Sequence, residues 1–204
     1  MSLEARRTRP ATQRGFTLVE ILVVITIIAA LIGMVAAVIP RAVVANRKVQ
    51  CQSNLRNIGG VLMERLVNGK MGSRGGPAML LQAYTLALIR EGDERVFLCP
   101  NDPAWEESGK PGFSGRYRRI DLDHPDPALC SYRVRDTKRF PLRSDSTRKE
   151  PLAACPHHED GVTVLYDDGS VQFLDRAALG LGPKDPVVVG PGSPAEVLRV
   201  FPGK

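Results

Sequence analysis

Apolar and polar positions divide this chain unevenly. From Phe16 to Ile39 nearly every side chain is apolar, and Glu20 is the only ionisable one. A bilayer-spanning helix needs about 20 such residues at 1.5 Å each, so the run is long enough to span. Its Val and Ile content disfavours helix in water. In lipid the backbone must bond to itself, and helix is the solution open to one segment. After Pro40 the pattern changes: Val44, Lys48, Cys51, Leu55, Ile58, Leu62 and Leu66 recur at three- and four-residue steps, with Arg47, Gln52, Asn54, Arg56 and Arg65 between them. The spacing predicts one long helix over about residues 17–67, apolar all round and then amphipathic. Pro40 removes one hydrogen bond and kinks it. Gly59-Gly60 weakens it, and Asn68-Gly69 ends it. Arg41, Arg47 and Lys48 follow the apolar run, where they meet lipid phosphates or water.

The signals are shorter downstream. Residues 69–76 read as a link. Pro77 starts a helix over Ala78–Arg90 that Gly92 caps. Val96 to Cys99 reads as a buried strand, and Cys130 to Val134 as another. Residues 100–128 and 135–151 carry no periodicity that places an element. Val162 to Leu174 is the clearest β signal, with Asp168-Gly169 as a two-residue hairpin turn. That turn pairs Tyr166 with Val171 and Val164 with Phe173. It places Val162, Val164, Tyr166, Val171 and Phe173 on one face, toward the long helix, and Thr163, Leu165, Gln172, Leu174 and Asp175 on the other. In the tail, Val187–Val189 suggests an edge strand and Ala195–Val200 a helical turn or two.

Charge changes this picture little. Net charge is +6. Half of it lies before Phe16, where Arg6, Arg7, Arg9 and Arg14 face only Glu4. Positive charge before a membrane helix marks the cytoplasmic side and sends the rest of the chain across. No basic patch interleaved with aromatics stands out, which argues against nucleic acid as a partner. Glu20 is the costly residue: a carboxylate inside a membrane segment costs roughly 2.5–3.5 kcal/mol on insertion scales. Cleavage after Gly15 would supply a partner: the new amine of Phe16 on one chain could pair with the Glu20 carboxylate of its neighbour in an assembly.

Gly15-Phe16-Thr17-Leu18-Val19-Glu20, with its basic leader and apolar run, resembles the N-terminus of type IV pilins and type II secretion pseudopilins. The resemblance implies a prepilin peptidase that cuts after Gly15, N-methylation of Phe16, and a role for Glu20 in assembly. The fold it implies is α+β and pilin-like: a long N-terminal helix, with a membrane half and an amphipathic half, packed on a small antiparallel sheet. The expected domains are a leader over 1–15, a transmembrane half over 16–39, an amphipathic half over 40–68 and an exported globular domain over 69–204. The expected site is the inner (cytoplasmic) membrane, single-pass, with the C-terminal domain periplasmic or extracellular. The expected partners are prepilin peptidase, other pilin-like subunits, secretion or pilus assembly machinery, and membrane lipid. A membrane-tethered binding module that uses the signal for export without polymerising is the competing reading.

A second segment, His158 to Gly169, resembles the H-x9-DG segment of a large group of pilin-like proteins. Cys51–Leu62, Phe97–Asp102 and Ser131-Tyr132 fit other positions of that group. His158, Asp167 and Asp168 form a minimal metal constellation, but turn chemistry accounts better for Asp168, and His158 reads as a hydrogen-bond partner of a loop carbonyl. The four cysteines, Cys51, Cys99, Cys130 and Cys155, permit two disulfides in an exported domain, in three connectivities. Cys99-Pro100 and Cys155-Pro156-His157-His158 also offer zinc ligands, but no C-x-x-C spacing is present, so disulfides or free thiols are favoured and no metal is expected. No nucleophile elbow, phosphate loop or H-E-x-x-H occurs. The expectation is a protein that is not an enzyme and carries no cofactor.

Overall fold

The computed structural model describes residues 16–67, 75–137, 139–142 and 149–202. The chain divides into two compact units, with the division between Val43 and Val44. Gly15, the leader, most of the 69–76 link and the Asn68-Gly69 stop fall outside the described residues, as does the side chain of Leu66.

A single helix, α1, runs from Leu18 to Val67 with Pro40 inside it. Pro40 has no N–H for the carbonyl four residues back, that of Ala36, and the helix continues through it. In the first unit the apolar side chains face outward all round: Leu18 is 80% exposed and Ile32 63%. Residues 18–39 rise about 33 Å, against about 30 Å of bilayer hydrocarbon. Among the described residues this is the one helix long and apolar enough to cross a membrane.

In the second unit one stripe of α1, Cys51, Leu55, Ile58 and Leu62, is fully buried. It packs against a four-stranded antiparallel sheet in the order β1-β2-β3-β4, made of β1 (Arg133–Val134), β2 (Pro151–His158), β3 (Gly161–Tyr166) and β4 (Val171–Asp175). Three short helices, α2 (Pro77–Thr85), α3 (Pro103–Glu107) and α4 (Phe113–Tyr117), lie between α1 and the sheet in sequence. This is the α+β, pilin-like arrangement expected.

The local expectations need correction at several points. The helix after Pro77 ends at Thr85, and Ala87 takes a positive φ of 55° just beyond it. Residues Glu94–Phe97 form a 3-10 turn in place of a strand. Strand β2 lies where the sequence carries no strand signal. It is an inner strand whose first five residues are all buried, so no alternation marks it.

The β3–β4 hairpin closes one residue away from the expected register. Leu165 pairs with Val171 and Thr163 with Phe173. The loop is Asp167-Asp168-Gly169, with Gly169 at φ 79° and the Tyr166 carbonyl accepting from the Gly169 N–H. A three-residue loop of this kind ends on a left-handed glycine. A one-residue slip turns a strand over. Leu165, not Val164, therefore faces α1 beside Val171, while Val162, Val164 and Tyr166 face the C-terminal tail. There they are covered by Leu179, Ala195, Leu198 and Phe201. The tail forms a 3-10 turn at Glu196–Leu198, and Val187–Val189 is not a strand.

Arg135 fastens the start of β2. Its guanidinium donates to the carbonyls of Phe140, Pro141 and Pro151 and lies 2.5 Å from Glu150, with its side chain 7% exposed.

Candidate functional site

Two places concentrate chemistry. The first is the start of α1. Thr17 is the residue before the helix, and Glu20 lies three residues on. The Glu20 Oε2 accepts from the Thr17 backbone N–H at 2.8 Å and from Thr17 Oγ1 at 2.9 Å. The Glu20 N–H donates to Thr17 Oγ1 at 3.2 Å. This is a capping box, in which the two residues satisfy each other's free donors. Glu20 thus has a partner within its own chain, Thr17. Both bonds to the carboxylate use Oε2, and a carboxylate has further acceptor capacity on its second oxygen. Phe16 is 81% exposed next to this box.

Residues 10–36 match the family model described as the prokaryotic N-terminal methylation motif. This is a type IV pilin-like N-terminus. The match spans Phe16, Thr17 and Glu20 and stops well before the H-x9-DG segment. No curated protein and no solved structure matches the chain. With its exposed apolar helix, the pilin-like motif marks the protein as membrane-anchored through a single segment.

The second place lies in the core of the C-terminal unit. Cys51 comes from α1, Cys99 from the turn after the Glu94–Phe97 segment, and Cys155 and His158 from β2. Their ligand atoms all lie within 4.8 Å of one another. The three cysteines are fully buried and His158 is 3% exposed. All four cysteines of the chain are free thiols. Cys130 stands apart: its thiol points to the Tyr132 carbonyl at 3.8 Å, and burial pushes its pKa up to about 12.

Three features of the backbone bring the four groups together. Cys51 opens the buried stripe of α1. A Ser131 hydroxyl accepts from the Cys99 N–H at 2.9 Å and fixes the turn. The third is a register shift in β2: Cys155 pairs with Thr163, but His158 pairs with Gly161. In a regular strand, residues three apart point to opposite faces. One extra residue between them, a bulge, re-aims His158 to the face of Cys155.

Within the cluster, His158 Nε2 is 3.7 Å from Cys99 Sγ, and the Asn101 N–H donates to the same sulfur at 3.5 Å. The neighbouring thiols of Cys155 and Cys51, then His158 and the Asn101 N–H, favour the Cys99 thiolate and hold its pKa well below the ordinary thiol value, against the desolvation that opposes them. On its other side His158 Nδ1 is 3.1 Å from the Asn101 side-chain amide, and its ring meets Phe173 edge-on.

In place of the loop carbonyl expected for it, His158 Nδ1 has the side-chain amide nitrogen of Asn101. His158 and Asp168 do not form one site, because β3 runs the length of the sheet between them. Asp168 serves its turn: Oδ1 accepts from the Ser170 N–H at 2.9 Å, and Oδ2 meets Lys149 Nζ at 2.7 Å. Asp167 receives the Glu150 N–H at 2.9 Å and so ties the turn to the start of β2. Lys149, then Ser170, lowers the Asp168 pKa to about 2. A depressed carboxylate adds stability above its unfolded pKa and loses it as pH falls through the folded value. Both side chains are largely exposed, so the gain stays below about 1 kcal/mol. Lys149→Met should therefore reduce the acid sensitivity of unfolding between about pH 4 and 2 while leaving stability at pH 7 within that margin. Urea midpoints at several pH values check this, and parallel profiles for the two proteins would refute it.

Proposed function

We propose that this protein is a pilin-like or pseudopilin subunit of a type II secretion or type IV pilus-like machine. A prepilin peptidase cleaves it after Gly15 and Phe16 is then N-methylated. It sits in the inner membrane through residues 16–39, with the later unit periplasmic or extracellular, and joins other pilin-like subunits through helix packing. The observation that carries this reading is the methylation motif over residues 10–36, joined to an apolar helix with one carboxylate at its start. Proteins with this motif are structural subunits, and the reading assigns this one no catalysis.

The capping box sharpens the role of Glu20. In the single chain its carboxylate serves the helix start. In an assembly, the same carboxylate accepts a neighbour's Phe16 amine on the oxygen that Thr17 leaves open. Glu20→Ala should remove both. The helix start should lose about 1 kcal/mol, which the long helix tolerates. Incorporation into assemblies should fall far more, while cleavage and export proceed. The mass and first residue of the protein recovered from its membrane test the maturation. A chain that starts at Phe16 and carries one extra methyl supports the reading. A chain that still carries its leader sinks it. Glu20→Ala with unchanged co-purification of other subunits would favour the non-polymerising, tethered module instead.

A further inference from the structure

We propose that Cys51, Cys99, Cys155 and His158 bind one zinc ion, which fastens the second half of α1 to the sheet. The inference is independent of the pilin-like reading and rests on the core of the C-terminal unit alone.

The donor set fits zinc. Three thiolates and one imidazole are a common structural zinc set, with Zn–S near 2.3 Å and Zn–N near 2.0–2.1 Å. A tetrahedron with those bonds places its ligand atoms about 3.6–3.8 Å apart. Cys99 Sγ and His158 Nε2 stand 3.7 Å apart, and all four atoms lie within 4.8 Å. Ordinary packing explains a single buried cysteine, which acts as a small hydrophobe. It gives no reason for three sulfurs from distant parts of the chain to converge on the nitrogen of a buried histidine.

The surroundings also fit. A metal-bound histidine holds its other ring nitrogen with an outer partner. His158 Nδ1 has Asn101 at 3.1 Å, and the amide can present its oxygen to an Nδ1–H once Nε2 binds the ion. Asn101 also donates its backbone N–H to Cys99, so one residue supports two ligands. Phe173 and Thr163 line the same face of the sheet, and Lys48 covers Phe173 with its ammonium 4.0 Å from the ring centroid while pairing with Asp160. Four protein ligands close the coordination sphere, which suits a structural ion and leaves no position for substrate. Binding displaces the three thiol protons to solvent, and the neutral imidazole binds through Nε2.

The ion would join three segments far apart in sequence: α1, the turn at Cys99, and the β2 bulge. It would also keep three close thiols from oxidising to disulfides.

The test uses the full chain, purified in detergent without chelators. Native mass and elemental analysis should find one zinc per chain. Capping the thiols with a mercurial should release that zinc to a chromogenic chelator. Exchange with Co²⁺ should give the thiolate charge-transfer and strong visible bands of a tetrahedral sulfur-rich site. Asn101→Ala should weaken zinc retention by about ten- to a hundredfold. His158→Cys should keep the ion on four thiolates, whereas His158→Gln should lose it, and Cys130→Ser should leave the stoichiometry at one. A wild-type chain with no metal and all thiols free overturns the proposal. So does a wild-type chain lighter by two hydrogens, which would place a disulfide within the cluster.

Discussion

Gly161→Ala should lower the stability of the C-terminal unit by about 3 kcal/mol, near the upper end of what overpacking costs. A β-carbon at this position would lie 2.2 Å from the Leu174 carbonyl oxygen, 2.8 Å from Phe173 Cζ and 2.9 Å from the Asp175 Cα. Two of those three atoms are backbone, so relief requires β4 to move away from β3 at the Gly161–Asp175 pair. The same position faces His158 across the β2–β3 turn, so the shift also disturbs the histidine's approach to the cysteines. Gly60→Ala is the matched control. Gly60 lies inside α1, and a β-carbon there meets nothing within 4 Å. That change should stabilise the helix by about 0.5–1 kcal/mol. Urea unfolding of the detergent-solubilised chain, followed by the fluorescence of Trp105, the only tryptophan, reads both. Equal midpoints for Gly161→Ala and the wild type would mean that the strands do not approach this closely.

Arg135→Ala should cost about 3–5 kcal/mol, because it strands a largely buried Glu150 carboxylate and leaves three carbonyls without their donor. Most of the loss comes from the abandoned partners rather than from the pair itself. The double change Arg135→Met with Glu150→Leu should therefore recover much of it. Glu150→Gln alone should cost less than Arg135→Ala, since an amide still accepts from the guanidinium. If Arg135→Ala unfolds within about 1 kcal/mol of wild type, water reaches this corner and the pair behaves as a surface one.

These positions also show what the chain discloses in one dimension. The long helix is legible because both of its solvents leave a pattern: continuous apolarity to Ile39, then a stripe every three or four residues. Of that stripe, Cys51, Leu55, Ile58 and Leu62 are fully buried, whereas Val44 at its start is 56% exposed. The β3–β4 hairpin is legible as a hairpin, but its register is not. Asp168-Gly169 suits both a two-residue and a three-residue loop, and the difference of one residue exchanges Val164 for Leu165 at the helix face. Strand β2 escapes notice because Pro151, Ala153, Ala154 and Pro156 are weak strand formers and burial on both faces erases alternation. The cysteine–histidine cluster escapes for a similar reason. Its one local signature is Cys155-Pro156-His157-His158, and regular strand geometry would send those two ligands to opposite faces. Only the bulge in β2 reunites them, and pairing with Thr163 and Gly161 is a tertiary fact.

The covering of the sheet's second face has a consequence for synthesis. Val162, Val164 and Tyr166 are sealed by Leu198 and Phe201, which lie more than thirty residues later in the chain. A nascent chain that has already made its helix and all four strands therefore still carries a bare apolar surface. It closes only when the last segment arrives. Until residues 195–201 have been made, this unit stays partly open and exposed to chaperones or to neighbouring copies. A tag or truncation that delays Phe201 would lengthen that interval.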